Sequence, residues 1–313
     1  MKVGIVGVGA VGAAVTIASV VRGVARDIVL VDKDTARANG VAADVRYGTP
    51  LSPAVDVHAG SYRDLAGASL VVLAAGINEK AGGATNRNDP LGRLRLLNTN
   101  AGVFEDIVPQ VVAAAPDATL LVVTNPPEPL VDLTRRLAGH DHVLSTSTFL
   151  DSLRFRFHLA KCFGVSPNSV EANVIGEHGT FSVFLWSSAR IAGVPLVELL
   201  ADRGIAFDEC RQSIEQEVRF ANISIIEGIG ASQYGIGMVV ARVAECILQD
   251  EHAVIPVGSY QARYGVTLSV PSIVGRGGVE SVLWPQLSDE EECGVAASAE
   301  RLSGALQQFA GAA

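Results

Sequence analysis

Short, almost unbroken runs of β-branched and aliphatic residues alternate with helix-length segments through residues 1–145. "KVGIVGV", "DIVLVD", "SLVVLAAG" and "TLLVVTN" are four such runs. Each predicts a strand with no polar face, the pattern expected when helices cover both sides of a sheet. Helices are expected from about Ala10 to Val21, through "TARANGVAADV", from about Leu91 to Ala115 and through "PLVDLTRRLAG". Strand, helix and strand repeated with right-handed crossovers give an α/β fold, a Rossmann-type doubly wound parallel sheet, over residues 1–145.

After about Ser145 the rhythm changes. A helix is expected from about Phe149 to Phe163, followed by strands through "VEANVIGEH" and "FSVFLWSS". A long helical region covers about Asp208 to Gln249, where Gly228, Gly230, Gly235 and Gly237 are candidates to break or kink it. Two late strands, "AVIPVGSYQ" and "VTLSVPSIVG", precede a closing helix that starts at a Ser288 cap with Glu291 three residues on. Residues 146–313 therefore read as an α+β substrate and catalytic domain. No Pro/Ser-rich linker separates the halves, so they are expected to pack closely.

Charge and cysteine usage narrow the function classes. A net charge of −9 argues against a nucleic-acid or anionic-membrane surface. Cys162, Cys210, Cys246 and Cys293 are too scattered for a metal knuckle or a disulfide framework, and a reducing cytoplasm is the simpler setting. His140 and His142 flank Asp141 behind Gly139 and read as a solvated loop, so no metal is expected. The uncharged run Val3–Val21 has the length of a membrane span, yet Gly4, Gly7, Gly9 and Gly12 crowd it.

Those glycines have a better use. Gly7, Gly9 and Gly12 stand in G-x-G-x-x-G spacing where a strand gives way to a helix. The first makes a tight turn, the second admits a pyrophosphate to the backbone, and the third lets helix and strand pack closely. Asp32 follows Gly12 by 20 residues at the end of the next strand, where a carboxylate binds ribose hydroxyls. It would also repel a 2′-phosphate, so NAD is the expected cofactor rather than NADP.

Four further features suit chemistry. "VIGEHGT" sets His178 between Gly176 and Gly179; Asp151 and Arg154 share a helix face at i, i+3; Asn125 ends the fourth strand; and Arg93 stands where a polar loop meets a helix. Singly, each also reads as a polar turn, an intrahelical ion pair, an Asn-Pro turn or a solvated arginine. As a set they suit oxidation of a 2-hydroxy acid. A histidine partnered by a carboxylate takes the hydroxyl proton, an arginine fork binds the substrate carboxylate, and a second cation stabilises the reacting oxygen.

Over essentially its whole length the chain resembles the NAD-dependent L-lactate and malate dehydrogenases. The likeness rests on "GVGAVG", "VLVDKD", "AADVRYGTPL", "VVLAAG", "VVTNPP", "LDSLRFRF", "VIGEHG", "WSSARIAGVPL" and "GASQYGIGM". It implies that His178 is the proton acceptor, Asp151 its carboxylate partner and Arg154 the holder of the substrate carboxylate. By the same likeness Arg93 polarises the reacting oxygen from a mobile loop, and Asn125 contacts substrate and nicotinamide. With Gly7, Gly9, Gly12 and Asp32 we count Val11, Tyr62, Gly76, Val123 and Asn125 as cofactor-binding residues. Within the family, "GEHG", "WSSARIAGVPL" and Ser232, which stands where the lactate branch usually has Thr, lean toward lactate.

Several positions depart from the family pattern. Thr180 replaces the Asp usual after His-Gly, and Pro127-Glu128 replace the usual Val-Asp after Asn-Pro. The loop "INEKAGGATNRNDPLGR", which selects substrate in this family, is several residues longer than usual. Counting back six positions from Arg93 puts Arg87 against the substrate side chain, which would suit oxaloacetate. Counting forward from Gly76 puts Glu79 there, which would repel it. The expectation is L-lactate/pyruvate. Malate dehydrogenase, or a dehydrogenase of another 2-hydroxy acid, is the alternative, and a catalytically silent NAD-binding sensor is the non-enzyme reading. The family's assemblies imply a homodimer or homotetramer.

Overall fold

The computed structural model describes residues 1–89 and 92–312, without the side chains of Arg93 and of residues 308–312. The first half runs β1 (Lys2–Val6), α1 (Ala10–Arg22), β2 (Asp27–Val31), α2 (Thr35–Gly48), β3 (Asp56–Ala59), β4 (Leu70–Leu73), α3 (Leu97–Ala114), β5 (Thr119–Val122), α4 (Pro127–Ala138) and β6 (Val143–Ser145). All six strands are parallel, and β1 lies between β2 and β4.

Their apolar sequence follows from burial on both faces. Ile5, Leu30 and Val72 pack toward α1 with Val15, while their neighbours Val6, Val31 and Leu73 pack toward α3 and α4 with Phe104, Val108 and Leu130. Each such side chain contributes roughly 1.5–3 kcal/mol relative to exposure. Two strands escape the hydrophobic pattern. β3, "DVHA", is a sheet edge with only Val57 buried, and β6 has three residues. The helix expected from Leu91 begins at Leu97, after a 3-10 turn over Gly92–Leu96; Leu91 itself lies outside the described residues.

The second half runs α5 (Phe149–Phe163), β7 (Val170–Glu171), β8 (Val174–Ile175), β9 (Val183–Phe184), β10 (Arg190–Ile191), β11 (Val194–Pro195), α6 (Leu196–Asp202), α7 (Phe207–Ile229), α8 (Tyr234–Gln249), β12 (Ala253–Gln261), β13 (Val266–Gly275), β14 (Gly278–Val282) and α9 (Asp289–Ala312). The long strand expected through "VEANVIGEH" is broken into β7 and β8. Arg156 donates to the Ala172 carbonyl and the Asn173 side chain at 2.8 Å each, in place of a continuous ladder. The long helical region breaks at one glycine, Gly230, which caps α7 in the left-handed region at φ 83°. The Ser288 cap forms as expected: Ser288 N donates to Glu291 at 2.8 Å, and Glu291 N donates to the Ser288 hydroxyl at 3.3 Å.

The late strands do not form a sheet of their own. β12 joins β6 through Gly258 and Ser145, so one nine-stranded sheet runs β14-β13-β12-β6-β5-β4-β1-β2-β3. Helix α8 completes the junction by packing on α1, with Val239, Val240 and Val243 in the same core as Val15.

That packing depends on a bare backbone at Gly237, where a Cβ would stand 2.8 Å from the Ala14 main chain. Gly237→Val regains about 0.5 kcal/mol of helix propensity but overpacks against backbone at a cost of about 1–3 kcal/mol. The urea midpoint of this variant is expected to fall. An unchanged midpoint would mean that α1 and α8 separate freely.

Candidate active site

The glycine turn is built as its spacing predicts. Gly7 sits at φ +93° and donates to the Val31 carbonyl at 2.8 Å; a Cβ there would lie 2.4 Å from the Ala75 nitrogen. A Cβ at Gly12 would lie 2.0 Å from the Gly7 carbonyl oxygen, whereas one at Gly9 would face open space. Gly9 caps α1 with no side-chain hydrogen bond, so the helix's first N–H groups point at whatever fills that space.

Asp32 lies beside the turn, accepting from Val8 N at 2.6 Å and Asp34 N at 2.9 Å. Tyr62 is near enough that burial first, then the charges of Asp106 and Asp32, raise its phenol pKa. Gly9, Val11, Gly76, Val123 and Asn125 line a cleft of about 1030 Å³ that continues from the turn. An open glycine, a free helix terminus and a carboxylate fit a dinucleotide.

The same cleft is also lined by Arg154, His178 and Ser232. Asp151 sits in the first turn of α5 and Arg154 one turn on, 3.0 Å apart. His178 follows β8, and its Nδ1 lies 2.6 Å from the second oxygen of Asp151. A carboxylate only accepts, so Nδ1 carries the proton in that bond. The side chains of Asp151 and His178 are 8% and 14% exposed, so the pair is shielded from water.

Buried hydroxyls set the spacing between the two segments. Ser152 accepts from Val174 N at 2.8 Å, and Thr148 donates to the Val174 carbonyl at 2.5 Å. The main chain at Gly176 is bridged to Ser269 of β13 by bonds of 2.9 and 2.8 Å.

The long loop places its two specificity candidates apart. Glu79 lines the cleft and accepts from the Asn125 amide at 2.6 Å. Arg87 forms a two-point ion pair with Glu227 of α7 at 2.6 and 2.7 Å and donates to Ser224 at 3.1 Å, lining a smaller neighbouring cavity. The backbone of Arg93 belongs to the 3-10 turn before α3; its side chain lies outside the described residues.

Two supports escape the sequence reading. Asn100, fully buried on α3, accepts from Ile77 N at 2.8 Å and donates to the Asn125 carbonyl at 2.7 Å, fixing both walls of the cleft. Its signal was a lone amide on a helix face otherwise apolar. Glu128 is buried behind His178 and accepts from its main-chain N–H at 2.9 Å.

Comparison with known proteins agrees with this architecture. Residues 1–143 match the lactate/malate dehydrogenase NAD-binding domain family, and residues 148–311 match the lactate/malate dehydrogenase alpha/beta C-terminal domain family. The chain is similar to the L-lactate dehydrogenase of Thermus aquaticus, 44% identical over 312 residues, covering 97% of this chain and 98% of that one. It is also similar to the L-lactate dehydrogenase of Deinococcus radiodurans, 42% identical over 310 residues, covering 99% of each. Among solved structures, it superposes on the minor L-lactate dehydrogenase of Enterococcus mundtii with a TM-score of 0.90, 33% identity and 98% of each chain covered. A lactate dehydrogenase from a Medee basin deep-sea metagenome library, MGS-M5, gives a TM-score of 0.91 at 28% identity, covering 99% of this chain and 98% of that one.

The position of Asp32 sets a cofactor test. NADH should exceed NADPH in kcat/KM by at least about tenfold, because each 1.4 kcal/mol of repulsion at the 2′ position is a factor of ten. Equal values would mean that Lys33 or another cation accommodates the phosphate.

Proposed function

The chain belongs to the lactate/malate dehydrogenase family, and we infer that it is an NAD-dependent oxidoreductase interconverting L-lactate and pyruvate. The observation that carries the reading is the 2.6 Å contact between His178 Nδ1 and Asp151, with His178 lining the same cleft as Gly9 of the glycine turn.

Gly7, Gly9, Val11, Gly12, Asp32, Tyr62, Gly76, Val123 and Asn125 would hold the dinucleotide, which when bound in its reduced form would supply the hydride for the 2-oxo acid. The protein moves the proton. With Nδ1 bound to Asp151, the other ring nitrogen of His178 gives its proton to the reacting oxygen in pyruvate reduction and takes it back from lactate. Asp151 stabilises the imidazolium that this cycle requires. Arg154 pairs with the substrate carboxylate, and Arg93 stabilises charge on the reacting oxygen as the loop closes.

Two contacts support a monocarboxylate over oxaloacetate. Glu79 brings a negative charge to the cleft beside Asn125, and Arg87, the residue that would attract a second carboxylate, is engaged by Glu227. The malate alternative requires Arg87 to leave that pair. A silent NAD-binding sensor would need none of the Arg93, Asn125, Asp151, Arg154 and His178 set.

The same reading carries a cytoplasmic homodimer or homotetramer. Among the described residues no helix is long and apolar enough to cross a membrane. Large apolar side chains exposed on α7 and α8, Ile229 at 54% and Met238 at 62%, offer surface for assembly.

His178→Ala should leave NADH affinity nearly unchanged while kcat with pyruvate falls about 10²–10⁴-fold, the usual worth of general acid–base catalysis. Near-full activity in this variant would place the proton transfer elsewhere.

The loop is tested by two separate substitutions assayed with pyruvate and oxaloacetate. Glu79→Gln should lower the pyruvate preference by roughly tenfold, equivalent to about 1.4 kcal/mol of relieved repulsion. Arg87→Gln should change the pyruvate rate little. If instead Arg87→Gln selectively abolishes a dominant oxaloacetate activity, the enzyme is a malate dehydrogenase.

A further inference from the structure

Glu128 is an acid with almost no access to water, 1% exposed, in the first turn of α4. Among the described residues no lysine or arginine forms an ion pair with it; the contacts made to its Oε1 come from neutral donors. One is the main-chain N–H of His178 at 2.9 Å, and the other is the hydroxyl of Ser147. Ser147 is itself buried and held at φ 38°, a left-handed conformation that costs a non-glycine residue of order 1 kcal/mol. The turn pays that strain in a position where its hydroxyl meets Glu128.

Three segments meet at this carboxyl. Helix α4 starts directly after the Asn125-Pro126 end of the cleft, the turn at Ser147 leads into Asp151 and Arg154, and the third segment carries His178. We propose that Glu128 is a positioning residue for proton transfer, tying the main chain of His178 to the turn that leads into Asp151.

The bond to Asp151 holds the imidazole through its Nδ1. Anchoring the residue's own N–H as well fixes the direction from which the ring meets Asp151. Without the acceptor that N–H loses its bond to Glu128, which favours movement of the loop. Burial pushes the Glu128 carboxyl up; the charge of a protonated His178 and the hydrogen bonds it accepts oppose the shift. An acid so placed acts through its accepting oxygen, which a glutamine also supplies.

This inference rests on His178 being the proton-transfer residue, so His178→Ala is assayed beside the Glu128 variants. Full-length Glu128→Leu, of similar size but without the acceptor, should lose about ten- to hundredfold in kcat with pyruvate. Its KM for pyruvate and its Kd for NADH should each move less than threefold, because Glu128 is buried and does not line the cleft that runs past Gly9 and Arg154. Glu128→Gln should restore kcat to within about threefold of the parent. Ser147→Ala, which removes one of the two bonds, should lower kcat several-fold at unchanged KM, and it serves where Glu128→Leu does not fold.

An unchanged kcat in Glu128→Leu, or in Ser147→Ala where the leucine variant is unfolded, overturns the proposal. So does a Glu128→Gln variant as slow as Glu128→Leu, which would make charge rather than placement the cause. Activity retained in His178→Ala overturns the reading of His178 itself, and the role of Glu128 falls with it. Activity lost in His178→Ala but kept in Glu128→Leu refutes the role of Glu128 alone.

Discussion

The site depends on one buried carboxylate. Asp151 is 6% exposed and binds Arg154 at 3.0 Å through one oxygen and His178 at 2.6 Å through the other. An ionised group taken out of water costs several kcal/mol unless it is paired and hydrogen-bonded. Arg154 and His178 both help Asp151 to remain charged in that place, and removing either would weaken that compensation. The same pairing constrains the chemistry. In the proposed reaction, with Nδ1 committed to Asp151, the other ring nitrogen of His178 is the one that exchanges a proton with substrate.

The rest of the fold brings these groups to one spot from distant parts of the chain. Asn125 follows β5, and Asn100 on α3 pins it against the end of β4. Asp151 enters on α5, which is stitched to β8 by Ser152 and Thr148. His178 hangs from β13 through the bridge between Gly176 and Ser269. Because β12 and β13 continue the parallel sheet past β6, the two halves share a hydrogen-bonded frame. The cofactor turn at β1 and the histidine loop at β8 are held relative to one another by that sheet and by α1 packed on α8.

Much of this was legible in the sequence, and what was not has definite causes. Four strands announced themselves because burial on both faces demands uninterrupted Val, Ile and Leu. β3 did not, because an edge strand with one buried residue leaves no such run. The glycine turn could be read because its backbone constraints are local, down to the Cβ that cannot fit at Gly12. The partnership of His178 and Asp151, 27 residues apart, came from resemblance rather than spacing; no local rule brings a loop histidine to a helix. Asn100 and Glu128 went unread as supports because their bonds to the main chain at Ile77, Asn125 and His178 leave no trace in side-chain patterns. The register of the long loop could not be counted from either end. Two contacts distinguish the candidates: Glu79 on Asn125 in the cleft, and Arg87 on Glu227 outside it.

Asp151 thus fixes which nitrogen of His178 carries the proton. The most direct measurement is the proton and nitrogen NMR of the enzyme labelled at its histidine ring nitrogens, with His178 assigned by substitution and the complex with NADH followed across pH. A strongly downfield Nδ1 proton from His178 is expected, one that persists when the ring is neutral and disappears in Asp151→Asn. A neutral His178 carrying its proton on Nε2, with Nδ1 bare, would contradict it.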